Sequence, residues 1–237
     1  MDLRKVWAIA VREFGSFFVS PMVYGFLTGY IVLLGYFNLN MLVRRQRAEF
    51  NLALILFVFL LFTPLLTMRL ISSERSTGTI EFIFTSPVRA SEFVLGKYLA
   101  VLGVYGISLV FTLEFPAFLV AVGDPDLQVL ATQYFGLTLV GAAFLAVGLF
   151  CSCLTENQIV AAVASFSLLI LLWVLTILKG MVPVYLNPVV EAFTVSSRIQ
   201  NFQSGILKLT DLLFFGSLIV SFLYASILYL NTRSWRQ

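Results

Sequence analysis

Uninterrupted apolar runs of about twenty residues recur along this chain, and few folds accommodate them. A bilayer core offers no water to backbone N–H and C=O groups, so a run of that length satisfies them as a helix. Membrane barrels instead alternate apolar and polar residues over roughly ten positions. Six such runs are legible, at 21–37, 52–70, 98–122, 133–153, 159–178 and 212–230. The second contains Pro64, where a break is expected. Charge confirms the class: only 11% of the 237 residues are charged and 60% are hydrophobic. A water-soluble surface needs about 25% charged residues. The expected fold is an all-α membrane protein with six transmembrane helices, one domain over 1–237.

The polar intervals carry the organisation. Residues 68–97 hold seven of the chain's 27 charged residues, of both signs, threaded with Ile80, Phe82, Ile83, Phe84, Phe93, Val94 and Leu95. Mixed charge distinguishes the stretch from a polybasic lipid patch. Ser91 is placed to cap a helix that runs into the third span. Composition alone leaves two readings: a surface helix offered to a soluble partner, or a solvated loop with an interfacial helix.

At the N-terminus, Val6, Trp7, Ile9, Ala10, Phe14, Phe17 and Phe18 recur at helical spacing among Arg4, Lys5, Arg12 and Glu13. The pattern predicts a flat interfacial elbow helix over 1–20, the alternative being a stub leading straight into the first span. Within that span, Gly25 and Gly29 are spaced for close helix contact, a possible subunit contact. Glu114 lies in the third span, two residues before Pro116. An intramembrane carboxylate is costly. It reads either as a polar point on a substrate path or subunit contact, or as a boundary residue bonded to backbone freed by the proline. Thr155-x-x-Gln158 fits a capping box for the fifth span. The second long interval, 179–211, is amphipathic and contains Pro183 and Pro188.

No chemistry for catalysis is legible. There is no phosphate-cradling G-x-x-x-x-G-K-[ST] loop and no histidine for a triad or a metal site. Cys151 and Cys153 sit two apart on an apolar helix, so they do not face each other and read as buried small residues. Asp124 and Asp126 have too few neighbouring ligands for a metal. A net charge of +3 spread over several loops speaks against nucleic-acid binding. With both ends inside, inner segments carry nine Lys and Arg and outer ones six, although Arg44, Arg45 and Arg47 fall outside.

ERSTGTIEFIFTSPVRASEFVLGKYLA resembles the cytoplasmic segment of ABC-type-2 transporter permeases through Glu74, Arg75, Thr77, Gly78, Thr79, Ile80, Glu81, Ser86, Pro87, Gly96 and Lys97. CSCLTENQIVAAV and FQSGILKLTD are similar to segments of the gliding-motility (GldF-like) subgroup. The resemblance implies a coupling segment over 71–97 between spans two and three, and an external or re-entrant segment over 179–211 before span six. It implies a permease of an exporter in the cell inner membrane, with both termini cytoplasmic. Partners would be an ABC ATPase carrying ATP and Mg, a second permease subunit (the same chain or a relative), and an accessory subunit. The ATPase-docking residues would be Glu74, Arg75, Ile80, Glu81, Phe82, Phe84, Arg89 and Glu92. The chain itself is expected to be no enzyme and to hold no cofactor. Two further function classes stand beside this one: a membrane scaffold that moves nothing, and an ion-driven carrier using Glu114.

Overall fold

The structure, a computed structural model, describes residues 2–45, 50–79, 88–122, 125–178 and 194–234. Among these every regular element is a helix. In chain order they are α1 (Leu3–Val19), α2 (Pro21–Arg45), α3 (Leu52–Thr67), α4 (Ser72–Ser76) and α5 (Ala90–Thr112). Then come α6 (Glu114–Val122), α7 (Leu127–Leu154), α8 (Gln158–Leu178), α9 (Val195–Gln203) and α10 (Leu209–Ser234). Five stretches are long and apolar enough to cross a membrane: Pro21–Asn40, Leu52–Ser76, Ala90–Ala121, Leu127–Leu154 and Leu209–Thr232. The fifth expected span coincides with α8, whose apolar part Gln158–Val174 is shorter.

Side-chain wiring fixes the ends of the bundle. Gln203, the last residue of α9, bonds backbone at the start of α3, and Gln133 near the start of α7 bonds the Gln203 carbonyl. At the other ends of α3 and α7, Ser152 bonds Ile71 and Ser72. The starts of α3, α7 and α10 therefore share one end of the bundle. The start of α5 lies at the other, with α1 and α4.

Between these ends, α7 is the central helix, packed against α3, α5, α8, α9 and α10. Its small residues let neighbours approach: a Cβ at Gly141 would lie 2.2 Å from the Tyr105 hydroxyl, which donates to the Leu137 carbonyl at 2.7 Å. Close backbone approach through small residues is how membrane helices gain contact without a hydrophobic drive. Tyr105 also packs on Phe59 with ring centroids 4.2 Å apart. Phe59 continues the core to Phe26 and Tyr30 of α2.

Several expected boundaries move. The helix α3 passes through Pro64 without a break, held by neighbours on α7 and α8. Helix α2 runs on to Arg45, so much of the expected loop at 38–51 is helical. Helix α5 starts at Ala90, one residue before the expected cap Ser91, and runs unbroken into the third span; Glu92 rather than Ser91 closes its first turn by accepting the Arg89 N–H at 3.1 Å. Helix α8 is capped by Asn157, whose Oδ1 accepts the Ile159 N–H at 2.9 Å, so the expected Thr155–Gln158 box is not formed. Gly29 is occupied within the chain: a Cβ there would lie 2.9 Å from the Phe62 ring, whereas Gly25 faces open space. Gly29 therefore seats α3, and only Gly25 is open to another subunit. Glu114 begins α6 just after a break at Leu113; it is exposed, and no hydrogen bond reaches its carboxylate among the described residues.

Candidate functional site

One buried cation organises the end of the bundle that carries α1 and α4. Lys97 is 1% exposed, although it belongs to a residue type that is almost never fully buried unless paired. Its Nζ lies 3.0 Å from Glu13 Oε1 on α1 and 2.9 Å from Glu74 Oε1 on α4. It also sits 5.0 Å from the centre of the Phe93 ring one turn earlier on α5, a cation–π contact. Three chain-distant helices are thus held by one ammonium. Two of its three donors have carboxyl acceptors, the arrangement a buried charge requires.

The neighbouring residue points elsewhere. Arg75 follows Glu74 on α4, and adjacent helical positions cannot share a face. Arg75 Nη2 meets Glu156 Oε1 at 3.0 Å, and Nη1 donates to the Cys153 carbonyl. Its guanidinium also lies 5.8 Å from the Tyr229 ring centre. The end of α7, the α7–α8 turn and the end of α10 therefore converge on it. Ser152 ties α4 down further: its Oγ accepts the Ile71 and Ser72 N–H groups at 3.0 and 3.1 Å and donates to the Met68 carbonyl. Arg69 Nε donates to Gln158 Oε1 at 2.9 Å, so the turn before α4 is also tied to the start of α8.

The α1–α5 contact is as specific. A Cβ on Gly96 would lie 2.6 Å from Ile9 Cγ2 and 3.1 Å from the Val6 carbonyl, so only glycine lets α1 lie this close. Glu92 closes the contact at the N-terminus of α1, accepting the Asp2 N–H at 2.7 Å. Gly78, with φ +72°, turns the chain out of α4 in a conformation other residues rarely adopt.

The described part of 74–97 therefore forms one three-dimensional unit with the α7–α8 turn. Glu74, Arg75, Gly78, Gly96, Lys97 and Glu156 all meet here or shape it. The sequence profile of a family described as "ABC-2 family transporter protein" matches residues 43–232. The chain belongs to this family. It is a multi-pass membrane permease subunit of an ABC transporter, and membership implies an ABC ATPase partner. A comparison with curated proteins found no match.

Within this permease the expected docking residues divide. Ile80, Glu81, Phe82 and Phe84 lie outside the described residues. Arg89 is exposed at the start of α5. Glu74, Arg75 and Glu92 bond within the chain: Glu74 to Lys97 on α5, Arg75 to Glu156 in the α7–α8 turn, and Glu92 to the Asp2 N–H ahead of α1. Glu13, Ser152 and Glu156 escaped the sequence reading as members of the unit. The signal for them was indirect: Lys97 and Arg75 are charges in an apolar setting that needed partners.

Proposed function

We propose that this permease takes the stroke of its ATPase through the segment after α4, and that α4 distributes it. The observation that carries this is the divergence of Glu74 and Arg75. One grips α1 and α5 through Lys97, while the other grips α7, the α7–α8 turn and α10. A push on the coupling segment at 80–89 would reach both halves of the bundle through two adjacent residues. ATP and Mg would be held by the ATPase, and the permease would respond by rigid-body shifts of its spans. Two packed bundles of this kind, each with six spans counting α8, would form the pathway of an exporter in the inner membrane. Helix α1 would be the elbow on the cytoplasmic leaflet, with Leu3, Trp7 and Val11 exposed to lipid, and both termini would be cytoplasmic. The segment 179–211 would lie on the outer side.

The test is the ATPase rate of the reconstituted permease–ATPase complex. Glu81→Arg and Phe84→Ala are expected to abolish the dependence of hydrolysis on the permease while the complex chain still folds and inserts. Unchanged coupling in both variants would sink the docking assignment.

A further inference from the structure

Beside the Lys97 cluster the chain leaves a cavity of about 200 Å³ between α1, the start of α2, the end of α3 and α4. At about 30 Å³ per water, it accommodates roughly seven waters, the scale of a small polar headgroup rather than a polymer. Its charged lining is Glu13, Glu74 and Lys97 together with Arg69. Glu13 and Glu74 bring two carboxylates to the single Lys97 ammonium. Glu74 Oε2 is buried without a hydrogen-bond donor among the described residues. A buried carboxylate oxygen without a donor is costly, so a donor from outside the chain is favoured there. Arg12 lies within electrostatic reach of Glu74 but does not hydrogen-bond this oxygen. Arg69 uses Nε on Gln158, which leaves the fork of its exposed guanidinium for an anion.

The geometry points to a binding site for a zwitterion that joins a primary ammonium to a phosphate: the ammonium toward Glu74 and Glu13, the phosphate toward Arg69. The source is the ethanolamine headgroup of a membrane phospholipid. Phe17, Met22, Leu65 and Leu66 supply apolar wall beside Ser73, and Leu65 is 38% exposed on a membrane-crossing helix. Acyl chains would continue along that surface. A choline headgroup has no N–H to give Glu74, and a glycerol headgroup brings no cation to two carboxylates. The site therefore discriminates at the ammonium end. This goes beyond the coupling role and does not depend on it.

Native mass spectrometry of the delipidated full chain tests the site, by titration with phosphatidylethanolamine, its N-methylated series, phosphatidylcholine and phosphatidylglycerol of matched chains. Phosphatidylethanolamine is expected to bind about tenfold tighter than phosphatidylcholine, the difference of one charge-assisted hydrogen bond. Affinity should fall stepwise with methylation. Glu13→Gln is expected to erase the preference, and Arg69→Gln to weaken both lipids alike. Because Glu13 also pairs with Lys97, Ser73→Leu serves as a second variant: it narrows the cavity, keeps every charge and should lower phosphatidylethanolamine binding at least severalfold. Equal binding of the two zwitterionic lipids by the wild type overturns the proposal, as does a preference that survives both Glu13→Gln and Ser73→Leu. Tightest binding of phosphatidylglycerol also overturns it. Soluble phosphoethanolamine matching the lipid in affinity would overturn the lipid assignment.

Discussion

The two ends of the bundle are both polar, yet they are held together by different physics. At the α4 end, ion pairs join chain-distant helices beside the neutral Ser152 bonds: Lys97 spans Glu13 and Glu74, and Arg75 reaches Glu156. At the opposite end, neutral groups carry the long-range contacts. Gln203 donates to the Phe50 carbonyl at 2.6 Å and accepts the Leu52 N–H at 2.7 Å, while its own carbonyl accepts from Gln133 at 2.8 Å. The ions at this end stay local: Asp211 holds Arg198 and Asn201 across the short α9–α10 connection, and Arg198 stacks 4.1 Å from Phe214. Gly205, with φ +75°, makes that connection tight. Phe202 then packs where a Cβ on Gly136 would lie 2.6 Å away. Neutral hydrogen bonds depend on short range and orientation. Ion pairs retain attraction as helices slide, because Coulomb energy falls slowly with distance in a low-dielectric setting. On the proposed coupling role, the α4 end is the one that moves, and ions suit it better than a directional clasp would.

The largest expected effect breaks the ionic end. Lys97→Met should destabilise the permease by about 3–5 kcal/mol, because two carboxylates lose the charge they surround. Thermal unfolding in detergent reads it. Adding Glu13→Gln and Glu74→Gln to that variant should recover most of the loss, since the repulsion goes with the charges. A single Lys97→Met variant as stable as wild type would show that the cluster holds nothing together.

That cluster also marks the limit of what the chain shows before it folds. The spans were legible because apolar runs of twenty residues need no partner to be recognised. Helix α1 was legible because Val6 and Ala10 recur on one face. What stayed hidden sat at charges: Glu92 and Lys97 belong to the polar interval 68–97, yet both are buried in α5 because Asp2, Glu13 and Glu74 come to them from elsewhere in the chain. Nothing local to Lys97 encodes Glu13. Asn157 displaced Thr155 as the cap of α8, and Gln158 was thereby left for Arg69. Gln203 was missed entirely, since a glutamine on a short amphipathic helix carries no pattern. Asp211 was visible only as one letter of a family motif.

The second effect tests the directional end. Gln203→Leu removes the side-chain bonds to Phe50 and Leu52 and should cost about 1–3 kcal/mol, with the strongest loss of hydrogen-exchange protection at the starts of α3 and α7. The loss should be nearly independent of salt, because no charge is removed. Loosening at α4 instead would contradict the separation of the two ends.

The smallest expected effect is the most discriminating. Arg75 has a side chain 5% exposed, but its partner Glu156 is 61% exposed. A pair with one member in solvent contributes roughly 0–1 kcal/mol. Glu156→Gln should therefore leave thermal stability almost unchanged, because the Cys153 carbonyl and the Tyr229 ring still hold the guanidinium. Coupling is a separate readout. If transmission runs from Arg75 into the α7–α8 turn, Glu156→Gln should lower permease-dependent ATP hydrolysis severalfold at unchanged stability, and raising salt on the wild type should mimic it in part. If hydrolysis stays at the wild-type level, the stroke enters α7 through Cys153 and Ser152 instead, and the exposed half of the pair is only a surface contact. Either result separates what Arg75 stabilises from what it transmits.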